Sequence, residues 1–405
     1  MASTFGWLDT DESQRKKVLE LVQLFKDEGT VDELGIGSIR DTIANALFPG
    51  TSVLHTRLRY ALFIPWLLQR SVNEHDPEQM SKAMRRHEVA LIHALLKTDQ
   101  RGVIGQQAKD KLKRMPSAAY WAQLATWGLR RSPDGGQVSI SGFFRHSHAV
   151  RSLNSRSIAA DDMDARDQPQ RLLLDPELPP PPPKFLESTT FELTAEEEDY
   201  LSTKIVESTE GSLLSWLVTH PPTRVVEYVW ALDEADVNAF PTRSQRLVEH
   251  GRRFHTAIYG AAVLYNLMLS EKSQLDEGIE DYRQELDAWR GEVVDKNVLE
   301  SWDRSSFWAT LGDENRRLSP VTKRFVDGWL DTISQTTDVA ELRSARALIE
   351  LRERQIKGGR ARLVNSAALD TWSGASGLAR LDYRWAIAQD LLGDLYDARG
   401  VQRAA

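Results

Sequence analysis

Apolar residues in this chain return every three or four positions, segment after segment. Only one five-residue stretch alternates in the manner of a strand. That periodicity gathers the apolar side chains of each segment on one helical face, so the chain is expected to fold as packed helices. Val18, Leu21, Val22, Leu24 and Phe25 mark a first helix, capped by Asp9 or Thr10. Ile39, Ile43, Ala46 and Leu47 mark a second, which starts near Gly37 and stops at the turn dipeptide Pro49-Gly50. A third runs from about Ser52 through the apolar run ending at Leu68, with Pro65 as a kink. Residues 78–98 form another, with Met84, Val89, Leu91, Ile92, Leu95 and Leu96 inward and Arg85 and Arg86 outward. Towards the C-terminus, Phe254, Ile258, Leu264 and Leu267 mark one helix and residues 279–289 the next. Phe325, Trp329 and Ile333, then residues 342–356, then residues 383–395 mark three more. No repeat of fixed period is present. With 405 residues, 41% of them hydrophobic and 12 of them Trp, there is material for two or three domains, each with its own core.

Charge is unevenly placed. The formal net charge is −8, yet fourteen Lys and Arg face four Asp and Glu between Lys82 and Arg156. Phosphate neutralisation needs several cations on one face, so this window is the natural place for a polyanion. Lys109, Lys111, Lys113 and Arg114 fall in a segment, residues 103–114, expected as a short basic helix. A helix over residues 117–129 follows, then a turn through Arg130, Arg131 and Asp134-Gly135-Gly136, then the alternating stretch 137–141 as a strand. Arg145, His146, Arg151 and Arg156 come next. Helix, basic helix, helix and hairpin in that order read as a winged-helix-like module, which seats a helix in the major groove and a wing on the flanking backbone. The bland alternative is a solvated face, or one that pairs with the acidic segment of the same chain.

That segment spans residues 157–199, where twelve acidic residues meet three basic ones and residues 179–183 are five prolines in a row. Polyproline is extended and stiff, so a linker is expected over 157–194, with Thr194 and Glu197 as the capping box of the next helix. The fold class read from the sequence is mainly α. It has an N-terminal helical domain over 1–156 with a winged-helix-like helix-helix-hairpin module at about 82–156. The acidic, Pro-rich linker leads to a C-terminal helical bundle over 195–405.

A second basic cluster holds Arg343, Arg346, Arg352, Arg354, Lys357, Arg360 and Arg362. Around Gly358-Gly359 the backbone is free to approach a phosphate. Arg354, Lys357, Arg360 and Arg362 are therefore candidates for a second contact, against the simpler reading of a charged helix end. Glu33-Leu34-Gly35-Ile36-Gly37 partly matches a helix-hairpin-helix glycine turn, but a helix start with glycines for close packing is preferred. Arg57 and Arg59 are expected as structural ion-pair partners, with ligand contact the lesser reading. His146 and His148 form an H-x-H pair without a third ligand, and His250 and His255 miss the i, i+4 spacing of helical zinc pairs. No metal and no cofactor is expected. Cys is absent, which removes disulfides, thiolate metal sites and cysteine nucleophiles and fits a cytoplasmic protein. The first residues lack the order of a secretory signal, and the longest apolar run falls far below the roughly 18 residues of a spanning helix.

Several strings resemble an uncharacterised family of bacterial proteins of about this length. They are Phe5-Gly6-Trp7, Gly35-Ile36-Gly37-Ser38-Ile39-Arg40-Asp41, Leu47-Phe48-Pro49-Gly50-Thr51-Ser52 and Thr56-Arg57-Leu58-Arg59-Tyr60. Pro116-Ser117 with Tyr120-Trp121, Lys357-Gly358-Gly359-Arg360-Ala361-Arg362-Leu363 and Trp372-Ser373-Gly374-Ala375-Ser376-Gly377 extend the likeness to both ends of the chain. The resemblance implies an association with restriction and anti-phage genes and supplies no catalytic residues. The expectation is a DNA-binding accessory protein of such a system, contacting duplex DNA through phosphates and other proteins of a defence complex, with no membrane partner. The rival readings are a nucleic-acid-processing enzyme whose carboxylates assemble only in the fold, and a protein-interaction scaffold.

Overall fold

The computed structural model describes residues 32–131, 138–159 and 173–404, with the backbone alone over 153–159. The helix expected over Val18 to Phe25, the Asp134-Gly135-Gly136 turn and the acidic stretch 160–172 lie outside them. Among the described residues there are fifteen α-helices, joined by turns and three short 3-10 turns. The molecule is mainly helical. None of these helices is long and apolar enough to cross a membrane.

The chain divides into two compact units, residues 1–41 with 250–381, and residues 42–249 with 382–405. It passes between them inside helix α1 (Gly37–Leu47), inside helix α9 (Thr242–Ser273), and after residue 381.

The unit built from 42–249 and 382–405 centres on α2 (Tyr60–Ser71), of which every residue but Gln69 and Arg70 is buried. Turns, rather than helix, occupy residues 52–59, and Pro65 lies inside α2. Helix α2 packs on α3 (Pro77–Leu96) and α4 (Pro116–Thr126), and α3 packs on α5 (Ile140–Ala159). Asp76 starts α3 by accepting the amides of Glu78 and Gln79, both at 2.9 Å, ahead of a proline at the first helical position. Helices α6 (Ala195–Ser208), α7 (Leu213–Thr219), α8 (Glu234–Ala239) and α15 (Trp385–Ala398) complete the unit, with α6, α7 and α15 in mutual contact. The capping box of Thr194 and Glu197 is present.

The strand expected over 137–141 is replaced by a helix. Gln137 lies outside the described residues, and Ile140 and Ser141 open α5, whose start Ser139 caps through the amide of Gly142 at 3.1 Å. Local capping and the burial of Phe143 and Phe144, with Phe143 edge-on to Trp121, override a five-residue alternation. His146 and His148 consequently sit on a helix, where residues two apart do not share a face.

Composition predicts a linker where the structure has core. Phe185 and Phe191 join Tyr60, Phe63 and Trp66 in one aromatic cluster, and the Trp66 indole donates to the Pro179 carbonyl at 2.7 Å. Leu173 and Leu174 are buried, and Arg130 pairs with Leu174 in an isolated antiparallel bridge. Apolar residues spaced between the prolines and acids carry this packing. A compositional average hides them.

The unit built from 32–41 and 250–381 packs the second part of α9 with α10 (Asp276–Asp295), α11 (Arg304–Glu314), α12 (Pro320–Gln335), α13 (Arg343–Lys357) and the single turn α14 (Ser366–Leu369). Trp289 and Trp329 are fully buried and donate at 2.8 Å to the carbonyls of Thr256 and Ala257 on α9. Gly260 makes this approach possible, because a Cβ there would stand 2.3 Å from the Trp289 ring.

Candidate nucleic-acid interface

The segment 103–114 is a folded loop rather than a basic helix. Gly102 and Gly105 have φ of +83° and +88°, and Lys109 has +46°, so the backbone repeatedly leaves helical space. One 3-10 turn, Lys109–Lys111, is all that is helical in it. The Ile104 amide donates to the Tyr60 hydroxyl at 2.9 Å, which ties the loop to the core. A Cβ at Gly105 would meet the Leu112 side chain at 2.7 Å and Ile92 at 3.0 Å, so glycine here allows Leu112 to dock on α3.

Helix α3 contributes more than Ile92. Arg85 donates from one nitrogen to the carbonyls of Asp110 and Leu112, at 3.1 and 3.2 Å. His93, two turns further on, meets the Asp110 carboxylate at 2.8 Å. Glu88, buried on the same helix, accepts the Ser117 amide at 2.8 Å and so caps the helix that follows the loop. Burial pushes the Glu88 carboxyl up to about 7, partly offset by the bonds from Ser117.

The outcome is an exposed array. Lys109, Lys111, Lys113 and Arg114 all face solvent, and none of them pairs with a carboxylate among the described residues. The one acid between them, Asp110, is engaged by His93.

The remaining cations of the window behave differently. Arg130 is buried, with its guanidinium 4.4 Å from the centroid of the Trp121 ring, and burial lowers its pKa. It is no wing residue. Arg131 reaches Asp175 at 2.7 Å; that carboxylate is fully buried and also takes Lys204 at 3.0 Å and the Tyr200 hydroxyl at 3.1 Å. Arg151 donates to the carbonyls of Val72, Glu74 and His75 and so fixes the turn before α3. Arg130 and Arg151 are thus occupied within the fold, whereas Arg131 keeps an exposed side chain beside the buried acid it pairs with. Arg145 is exposed on α5, His146 is partly buried, and the Arg156 side chain lies outside the described ones. Lys82 and Arg86 pair with Glu78 and Glu74, and Lys97 caps the Glu187 carbonyl.

The second basic cluster is largely internal to its own unit. Glu353 is fully buried and accepts the Tyr265 hydroxyl at 2.5 Å, Lys357 at 2.9 Å, and the amides of Arg362 and Leu363, both at 2.9 Å. Burial alone would raise its pKa, but these donors outweigh it and hold the carboxyl below its ordinary range. Glu33 pairs with both Lys357 and Arg362. Arg352 is buried and donates to the carbonyls of Leu34 and Gly35 and to Thr322. Arg346 grips Glu271 with two nitrogens. Arg354 forms a surface pair with Glu350, and Arg360 is exposed. Lys357 and Arg362 are thus withdrawn from the proposed second contact. The glycines before α1 serve a helix start: Asp32 accepts the amides of Ile36 at 2.9 Å and Gly37 at 2.5 Å, and Gly35 makes room for Arg352.

Arg57 pairs with Asp394 and Arg59 with Glu197, at 2.7 Å each, both as structural partners. His250 accepts the Trp302 indole at 3.2 Å, and His255 bonds the Leu381 carbonyl at 2.9 Å with its pKa lowered by burial to about 4. Among the described residues, no three His, Asp or Glu side chains gather as a metal site. The residue that sequence reasoning missed is Arg85, taken only as outward-facing. Its stripe on α3, shared with His93, is visible as an eight-residue spacing, but the carbonyls it meets are not.

The model of a family of unknown function, DUF6361, matches residues 2–399 of this chain. The chain belongs to that family. No curated protein and no solved structure matches it. Membership of DUF6361 carries no assigned activity, so the functional reading rests on the geometry above.

Proposed function

We propose that this member of DUF6361 binds the phosphate backbone of duplex DNA through the loop 109–114. Four cations in six residues, held on one anchored loop without carboxylate partners among the described residues, carry the reading. Each phosphate neutralised releases condensed counterions, so the interaction gains mainly from solvent and salt rather than from base edges. Three of the four are lysines, compact charges that suit phosphates of any sequence. We read such an activity as an accessory role within a DNA-modification or defence assembly, the association that the resemblance of the sequence suggests.

The test is fluorescence anisotropy with a labelled duplex across a salt series. Four phosphate contacts give a slope of log affinity against log salt of about −3.6. The K109A/K111A/K113A/R114A variant abolishes that slope. Affinity that is unchanged in this variant, or independent of salt, overturns the reading.

A further inference from the structure

We infer that Arg85 is a positioning residue, which holds the loop 109–114 in the conformation that presents its four cations together. This rests on the phosphate-binding reading for its consequence, though its geometry stands alone. A surface arginine usually ends in water, and its charge is then one more contribution to the local field. Arg85 instead gives one nitrogen to two carbonyls, Asp110 and Leu112, which bracket Lys111. The loop has little else to define it on that side. The backbone here closes bonds from Lys109 to Gly105, Lys111 to Ala108 and Leu112 to Lys109, each reaching back only three or four residues. Lys109 is left in the left-handed region, a conformation that costs of order 1 kcal/mol for a non-glycine residue and persists only when its surroundings hold it. Leu112 and Ile92 both close over Gly105, and His93 holds Asp110. Three residues of α3 at positions 85, 92 and 93 therefore clamp the loop along one side of the helix. Neighbouring ammonium groups repel, and an unclamped loop relieves that repulsion by spreading. Arg85 opposes the spreading by binding main-chain oxygens, whose partial negative charge also tolerates a guanidinium among the lysines.

The consequence is that removing Arg85 removes more than one cation's worth of binding. Limited trypsin digestion reads the loop directly, since Lys109, Lys111, Lys113 and Arg114 are all cleavage sites. In the full-length protein without DNA, R85A is expected to be cut within 109–114 at least about fivefold faster than wild type, because local opening admits the protease. Its melting temperature stays within a few degrees of wild type. L112A, which keeps every cation but loses the side chain that lies over Gly105, is expected to be cut faster as well. With labelled duplex, R85A lowers the salt slope by about two or more, whereas K113A lowers it by about 0.9, one phosphate. If R85A is cut within 109–114 at the wild-type rate, Arg85 is an ordinary surface charge and the inference falls. If wild-type protein shows no salt-dependent affinity for the duplex, the phosphate-binding reading fails, and digestion still decides the role of Arg85.

Discussion

Two basic stretches look alike in the sequence and are used in opposite ways. The loop 109–114 leaves its lysines and arginine in solvent, while Lys357 and Arg362 turn inward onto Glu33 and Glu353. The difference lies in the carboxylates. Near the loop the buried acid is Glu88, which takes the Ser117 amide and forms no salt bridge among the described residues, and burial pushes it up to about 7 despite the nearby Arg85 charge. In the other unit Glu353 collects two side-chain donors and two amides and is held low. Cations of equal density in the sequence are thus exposed in one stretch and, among the described residues, neutralised in the other according to where the buried acids fall.

Truncating the acid at the centre of the internal network should have the largest effect. Glu353→Ala leaves Lys357 buried with Glu33 as its one remaining carboxylate and is expected to cost about 3–5 kcal/mol in urea unfolding, with the salt slope of DNA binding untouched. If that variant weakens DNA binding in proportion to stability, the contrast between the stretches is false. The quadruple alanine variant of the loop is the mirror case. It should lose about 100-fold in affinity at low salt while unfolding within about 0.5 kcal/mol of wild type.

Glu88 sharpens the comparison through pH. Its folded pKa lies above its unfolded value, so between the ordinary carboxylate range and about pH 7 the folded chain binds a proton that the unfolded chain has released. Its contribution to stability therefore falls as pH rises through that window, and above it the full burial penalty is present. Glu88→Gln should gain about 2 kcal/mol over wild type at pH 8 and almost nothing at pH 4, measured by urea unfolding at both. Equal gains at the two pH values would show that burial of charge is not the cause. The smallest effect belongs to Arg354, whose pair with Glu350 is exposed on one face of α13. Arg354→Ala should change stability by about 0.5 kcal/mol or less in the same assay.

The helices were legible because their apolar spacing is a local property. Phe254, Ile258, Leu264 and Leu267 lie in α9, Phe325, Trp329 and Ile333 in α12, and residues 385–395 in α15. What failed depended on distant partners. Arg131 meets an acid 44 positions away, and Glu33 lies 329 positions from Arg362. Residues 137–141 failed for the opposite reason: five residues of alternation are too few to outweigh a serine cap and two buried phenylalanines. Of the candidate site, the cations Lys109, Lys111, Lys113 and Arg114 were legible because charge density is itself a sequence property. Their lack of carboxylate partners among the described residues was not, since it depends on where distant acids end up.

The five prolines beside Trp66 have a consequence for how this protein meets its own kind. Residues 179–183 offer carbonyl oxygens but not one amide hydrogen, and the indole of Trp66 satisfies the first of those oxygens from within. A neighbouring chain that tried to lie alongside would find acceptors without donors, so no ladder of main-chain bonds could grow there. A margin of this kind is closed to the stacking that turns exposed extended segments into fibrils.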